Sequence, residues 1–276
     1  GLLDRLDRRR QPPAVDHVHI HALADRAQRR AAAVRRTGAH RVGMLADGDR
    51  VLVAVSGGVD SFVLAWLLVE WRKKAPIHYD LAAVHVDMEA DTGEPGPMVE
   101  QLRRSISALG LSLHVLPASW QPGPLSTENT NHDLCFQCAR SRRTQMFVYA
   151  RENGYQTIAL GHHRDDIIET FLLNLTCAGN ISTMVPKQEL FSGRLALIRP
   201  LAYLDKAEIE DICRQLPVVP IRSCCPLREQ TRRRDIQQLA SCIYQRIPGA
   251  KEHIFSALGN IRQQYLLSQT KEKKLS

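Results

Sequence analysis

The chain has 276 residues, 44% hydrophobic and 24% charged, enough apolar material for one large or two smaller globular cores, which excludes a disordered tail or a miniprotein. Its longest apolar runs, 51–55 and 62–69, fall far short of the roughly 20 residues that a membrane-spanning helix needs. Thirty-seven Lys and Arg against 29 Asp and Glu leave a formal net charge of +8, a balance that suits a polyanionic partner such as nucleic acid.

Residues 1–42 hold ten Arg and four acids. An Ala-rich stretch from Ala22 to Val34, charged around most of its circumference, reads as a helix, so 1–44 are expected to form a basic helical N-terminal extension. No apolar segment of secretory type follows Arg8-Arg9-Arg10, and a cytoplasmic protein is the expectation. From Arg50 onward short apolar runs alternate with amphipathic stretches, the pattern of βαβ units in an α/β fold with a parallel sheet. Strands are predicted at 50–55, 80–86, 111–116, 156–160 and 195–199. Helices are predicted at 60–73, 97–109, 139–153, 166–176 and 205–215. Pro117 to Asp133, with three prolines and a run of Ser, Thr and Asn, reads as a long loop. After Pro217 and Pro220 the chain becomes basic and helical, so 45–216 are expected to be the α/β domain and 217–276 a small helical C-terminal lobe. Aromatic residues make up 5%, too few for a base-stacking sheet, so nucleic acid would be met by phosphate contacts, shape and a pocket.

The strongest chemical signal is Ser56-Gly57-Gly58-Val59-Asp60-Ser61, directly after a β-branched strand and before a helix. A glycine pair there lets backbone N–H groups turn toward an anion, the helix N-terminus adds its positive end, and the hydroxyls add donors. Neither the lysine of a Walker A loop nor a Gly-x-Gly-x2-Gly is present. Gly161-His162-His163-Arg164-Asp165-Asp166 repeats the arrangement after the strand near Leu160. In an open parallel sheet both turns face one crevice beyond the carboxyl ends of the strands. There Asp165 and Asp166 would cap a helix, hold Mg2+ or position a nucleotide. His85-x-Asp87 closes another strand at the same crevice.

Seven cysteines without an export signal point to thiols, metal ligands or catalytic groups rather than a disulfide framework. Cys135-Phe136-Gln137-Cys138 is expected at the end of the long loop, ahead of a helix carrying Arg140, Arg142 and Arg143. A second Cys-x2-Cys is missing, and Cys224 and Cys225 are adjacent. Cys135, Cys138 and one of Cys224 and Cys225 would therefore hold an iron–sulfur cluster with one iron lacking a protein ligand. A structural zinc and a redox disulfide are the competing readings. Cys177, Cys213 and Cys242 are expected to be core thiols.

The 56–61 segment resembles the PP-loop of the ATP pyrophosphatases, which bind the β and γ phosphates of ATP and release pyrophosphate. Together with Cys135–Cys138, the arginines after it, Gly161–Asp166, Val185-Pro186-Lys187, Ile198-Arg199-Pro200-Leu201-Ala202-Tyr203 and the cysteine near 225, it resembles the tRNA 2-thiocytidine synthetases. These are the TtcA-like branch of the iron–sulfur-dependent tRNA thiolases, and the likeness covers about residues 45–265. The resemblance implies an adenine nucleotide alpha hydrolase-like, Rossmann-like parallel sheet flanked by helices. It also implies ATP-dependent replacement of a pyrimidine carbonyl oxygen by sulfur, at cytidine 32 of tRNA, with a [4Fe-4S] cluster on Cys135, Cys138 and Cys225, Cys224 being the alternative. Ser56, Gly57, Gly58 and Ser61 would hold phosphates, and Asp60 would orient ATP or Mg2+. Arg142 would stabilise charge on the activated oxygen, and His85, Asp87, Gly161, His162, Asp165 and Asp166 would complete the nucleotide site. A homodimer and a cysteine desulfurase or other sulfide donor come with the family. Two departures are visible: the distal Pro-Cys-x2-Cys lacks its first cysteine, and Val59 stands where lysine is common. The same chemistry on another nucleobase or small molecule, or a sulfur-free adenylating ligase with zinc, are the alternatives.

Overall fold

The computed structural model describes residues 43–89, 94–121, 131–221, 225 and 231–267. The expected N-terminal extension and Cys224 lie outside them. Six strands form one sheet in the order β3-β2-β1-β4-β6-β5. They are β1 (Asp49–Ala54), β2 (Tyr79–Asp87), β3 (Leu113–Pro117), β4 (Thr157–Ala159), β5 (Lys187–Leu190) and β6 (Leu195–Ile198). All neighbours pair parallel except β5 with β6. Because the central strands are covered on both faces they read as unbroken apolar runs: Val51, Leu52 and Val53 have no exposed surface.

Helix α1 (Val59–Arg72) follows β1 and is buried without a break from Ser61 to Val69. A helix apolar all round belongs inside, and α1 is packed between the sheet and α5 (Lys206–Cys213). With α2 (Val99–Ala108), whose Leu102 and Ile106 point inward, it builds the larger core. The opposite face carries α3 (Asn131–Glu152), whose Met146, Phe147, Tyr149 and Ala150 pack on Leu52, Val84, Ile158 and Leu197. A third cluster joins α4 (Arg164–Cys177) to α6 (Arg232–Arg246) and α7 (Ala250–Ala257) through Ile168, Leu172, Ile236 and Ala240. Among the described residues no helix is long and apolar enough to cross a membrane.

The chain winds outward through β1, β2 and β3 and then returns to the other side of β1 as β4. The winding reverses between β1 and β4, the topological switch point where open α/β sheets bind ligands. The loops leaving these two strands are Ser56–Ser61 and Gly161–Asp166.

Three expectations change. β5 was not foreseen, because Lys187-Gln188-Glu189-Leu190 has neither β-branched residues nor alternation; it is held as an antiparallel edge by a turn with positive φ at Phe191, Ser192 and Gly193. α3 begins at Asn131 rather than near 139, so Cys135 and Cys138 lie on a helix and not at a loop end. The third, concerning the lone cysteines, is described with the site.

Candidate active site

Beyond β1 the backbone turns at Gly57 with φ of +82°, a left-handed conformation that glycine adopts without steric cost. Gly58, extended, caps α1. The Ser61 hydroxyl donates to the Gly58 carbonyl at 2.8 Å and accepts the Ser56 N–H at 3.2 Å, while Ser56 Oγ accepts the Gly58 N–H at 3.4 Å. The two hydroxyls thus brace the loop, leaving the Val59 and Asp60 N–H groups at the start of α1 available for an anion, while the Ser61 N–H donates to the Gly58 carbonyl at 3.1 Å. On its outer side the Gly57 carbonyl accepts the Ile221 N–H at 2.9 Å. A Cβ at Gly57 would stand 3.1 Å from Ile221 Cβ and Cδ1. Gly57→Ala therefore meets both backbone strain and crowding, with an expected destabilisation of about 1–3 kcal/mol and weaker ATP binding, measurable by thermal melting and nucleotide titration.

The second loop presses against the first: a Cβ at Gly161 would lie 3.3 Å from the Asp60 carbonyl carbon. Asp60 receives Lys206 Nζ on both oxygens, at 2.6 and 2.9 Å, and lies 3.8 Å from His163 Nε2. His163, buried at the start of α4, also lies 3.5 Å from Asp165 and 3.3 Å from Asp166. Burial alone would favour neutral His163, but the three carboxylates outweigh it and raise its pKa. Burial would likewise raise Asp165, yet bonds from His163, Lys251 Nζ (2.6 Å) and the Lys206 N–H (3.0 Å) hold it well below the usual carboxylate range. Asp166 closes a helix cap by accepting the His163 N–H at 3.0 Å, and it pairs with Arg233 at 2.9 Å. Asp165 and Asp60 thus share His163 and Lys206 as neighbours, and Asp166 is committed to the cap and to α6.

At the end of β2, His85 Nδ1 donates to the Val55 carbonyl at 2.9 Å, bracing the strand that feeds the loop. Asp87 accepts the Glu89 N–H at 3.0 Å and the Gly96 N–H at 2.7 Å, and is 3% exposed. Its carboxylate is engaged in fastening the β2–α2 connection.

On α3, Cys135 and Cys138 are three residues apart and Arg142 follows four later, spacings that share one helix face. Cys135 and Cys138 are partly exposed and Cys225 is exposed. The Cys135 thiol is raised first by burial and then by the charges of Cys225 and Cys138, against which Arg142 acts. The fold therefore brings Cys225 within electrostatic reach of the Cys135–Cys138 pair. Among the described residues no three His, Cys, Asp or Glu side chains are gathered tightly enough to hold a single metal ion. Of the expected core thiols only Cys213 is buried; Cys177 and Cys242 are exposed, because Cys177 ends α4 and Cys242 lies outside the buried face of α6, which carries Ile236 and Ala240.

Residues 16–219 match the family model of the PP-loop domain. The chain belongs to the PP-loop family. It is 34% identical over 230 residues to the tRNA-cytidine(32) 2-sulfurtransferase of Xylella fastidiosa (strain M23), covering 83% of this chain and 75% of that protein. The protein of the same name from Sorangium cellulosum (strain So ce56) is 36% identical over 234 residues, 84% of this chain and 81% of its own. Within the PP-loop proteins the chain therefore belongs with the tRNA-cytidine(32) 2-sulfurtransferases. The fold is also that of the U34-tRNA thiolase NcsA from Methanococcus maripaludis, solved with its [4Fe-4S] cluster. The TM-score is 0.62 at 20% identity, covering 89% of this chain and 80% of that one.

Four residues beside the PP-loop escaped sequence reasoning: Lys206, Lys251, Asp205 and Arg233. Lys251 bridges Asp165 and Asp205 at 2.6 and 2.8 Å, and Arg164 meets Asp205 at 3.2 Å. Only Asp205 left a legible mark, as the start of an Asp-x-x-Glu capping box with Glu208. The Arg199 of the Ile-Arg-Pro-Leu segment is 5% exposed and donates to the Val185 carbonyl at 2.6 Å, tying the segment before β5 to the end of β6.

His162, in the loop after β4, has its Nδ1 buried and unpartnered among the described residues. Burial, reinforced by Arg199, Arg233 and Arg143 and opposed by Asp166, lowers its pKa to about 4. A histidine whose folded pKa is depressed contributes stability above its unfolded value of about 6.5, and that stability is lost as pH falls toward 4. This group should cost the protein stability as pH falls from 7 to 5, read as a lowered melting temperature. His162→Gln should flatten that slope; an unchanged slope would assign the acid sensitivity elsewhere.

Proposed function

We propose that the protein is an ATP-dependent tRNA sulfurtransferase that adenylates the C2 carbonyl oxygen of cytidine 32 and replaces it with sulfur. The observation that carries this reading is the short stretch of chain that links the PP-loop to the cysteines. A PP-loop at the switch point is hydrogen-bonded through Gly57 to Ile221, and four residues later the same segment brings Cys225 toward Cys135 and Cys138.

A C2 carbonyl oxygen is a poor leaving group, and transfer of AMP onto it turns it into a good one. In that step the base oxygen bonds to the α-phosphorus, the bond to the bridging oxygen breaks, and pyrophosphate leaves with the electron pair. Ser56, Gly57, Gly58 and Ser61 receive the departing phosphates through fixed N–H and O–H donors that need no reorganisation. Asp60 and Asp165, with Mg2+ as the expected counter-ion, orient the nucleotide. Arg142, one helical turn past Cys138 and close enough to act on the Cys135 thiol, would stabilise charge on the activated oxygen. Sulfide then displaces AMP.

The donor set fits a [4Fe-4S] cluster. Cys135 and Cys138, partly exposed, and Cys225, exposed, would each give one thiolate to an iron, and with three thiolates the fourth iron would be open to a sulfide. Exposed Arg140 and Arg143 on α3 and Arg232 and Arg246 on α6 supply cations for the tRNA phosphates. A cytoplasmic site of action, a homodimer and a cysteine desulfurase or other sulfide donor complete the proposal. So does the division into an extension at 1–44, a catalytic domain at 45–216 and a C-terminal region at 217–276.

The test is anaerobic incubation of the protein with tRNA, ATP, Mg2+ and sulfide, followed by nucleoside mass spectrometry. 2-Thiocytidine at position 32, dependent on ATP and on Cys135, is the expected product. Thiolation of another base would move the substrate, and ATP cleavage without any thionucleoside would favour a sulfur-free adenylation.

A further inference from the structure

Lys206 opens α5, 146 residues after Asp60, yet its ammonium group bonds both Asp60 oxygens at 2.6 and 2.9 Å. Its backbone N–H is bound as well, donating to Asp165 at 3.0 Å. The side chain is therefore anchored at its base by one candidate nucleotide carboxylate and at its tip by the other. An ammonium has three donors; two are used on Asp60, and the third has no partner among the described residues. The side chain is 37% exposed and Asp60 33%, so this face of the pair opens to the crevice. Ser56–Ser61 itself contains no cation, and a carboxylate beside a polyphosphate is repulsive unless neutralised.

We propose that Lys206 is a phosphate-binding residue of the PP-loop, supplying from α5 the positive charge that the loop lacks. It cancels Asp60 and directs its remaining N–H at the β and γ phosphates, where the leaving pyrophosphate gathers negative charge. This rests on the nucleotide reading of the crevice and extends it to a residue outside the loop. The His163 imidazole stands farther from Asp60, at 3.8 Å, and its nitrogens are shared with Asp165 and Asp166. Lys251 and Arg233 are turned toward Asp165, Asp205, Asp166 and Glu169. Lys206 is thus the cation best placed to serve the PP-loop.

The test uses the anaerobically purified full chain and compares wild type with Lys206→Met and Lys206→Gln. Binding of ATP, inorganic pyrophosphate and AMP is measured separately, with melting temperature as a check on folding. Loss of one charged hydrogen bond predicts roughly ten- to hundredfold weaker binding of ATP and pyrophosphate, with AMP changed by no more than about threefold. Equal loss of AMP and pyrophosphate would make Lys206 a structural prop between the two loops, and unchanged pyrophosphate binding would remove it from the phosphate site; either overturns the proposal. Should Lys206→Met melt early, Lys206→Gln gives the same comparison with a polar tip. These readings need no tRNA, so failure of thiolation in wild type would sink the functional reading while leaving the pyrophosphate-to-AMP split to be judged by itself.

Discussion

Asp60→Asn is expected to reduce ATP-to-AMP turnover by at least about a hundredfold while leaving tRNA affinity within roughly twofold. Asparagine keeps the shape of the side chain but removes the charge that Lys206 meets at 2.6 Å and that lies 3.8 Å from His163. Losing the carboxylate that anchors Lys206, and the Mg2+ it is expected to orient, disturbs preorganised charge at the reacting phosphates and costs rates of that order. Folding should be little affected, since the Asp60–Lys206 pair is a third exposed and solvent-screened. The rate is read from labelled AMP and the affinity from a gel shift. Turnover within tenfold of wild type would remove Asp60 from the chemistry, and a parallel fall in tRNA affinity would make its role structural.

Cys135→Ala is expected to abolish both bound iron and thiolation while ATP cleavage persists within a few-fold. The separation follows from placement: Cys135 sits on α3, whereas the contacts of Asp60, Asp165 and His163 come from α1, α4, α5 and α7. Cys138→Ala should behave alike. Of the adjacent pair, Cys225→Ala should reproduce the loss, in keeping with the reach of the Cys225 charge to the Cys135 thiol, and Cys224→Ala is the comparison that tests the choice. Iron and acid-labile sulfide per chain decide the matter. Iron retained in Cys135→Ala, or zinc alone in wild type after reconstitution, would end the cluster reading and shift the function toward sulfur-free adenylation.

The parallel sheet was legible because its strands are short, β-branched and buried on both faces, so hydropathy alone marked β1, β2 and β4. The two ligand loops were legible for a related reason: Gly57 and Gly161 sit where a strand must turn into a helix, and few residues tolerate either a φ of +82° or the approach of Asp60. β5 was not, since a polar four-residue edge strand carries no periodicity and is defined by its partner. The start of α3 was hidden by the loop-like composition before it, so the helical spacing of Cys135, Cys138 and Arg142 emerged only with the structure. Nothing in the sequence paired Lys206 with Asp60 or Lys251 with Asp165. Long-range ion pairs are made by packing α5 and α7 against α1 and α4, and separations of 146 and 86 residues leave no local pattern.

The hydrogen bond from Ile221 to the Gly57 carbonyl makes the two halves of the crevice thermodynamically reciprocal. Four residues of chain reach at most about 14 Å, so Cys225 cannot move far while Ile221 stays fastened. To the extent that an anion in the PP-loop stiffens that bond, it also preorganises the exposed cysteine. Equilibrium linkage then requires whatever occupies the cysteines to strengthen anion binding by the same factor. ATP affinity and the retention of iron are then two readings of one coupling free energy, and Ile221→Pro, which removes the N–H that the Gly57 carbonyl accepts, is the substitution expected to change them together.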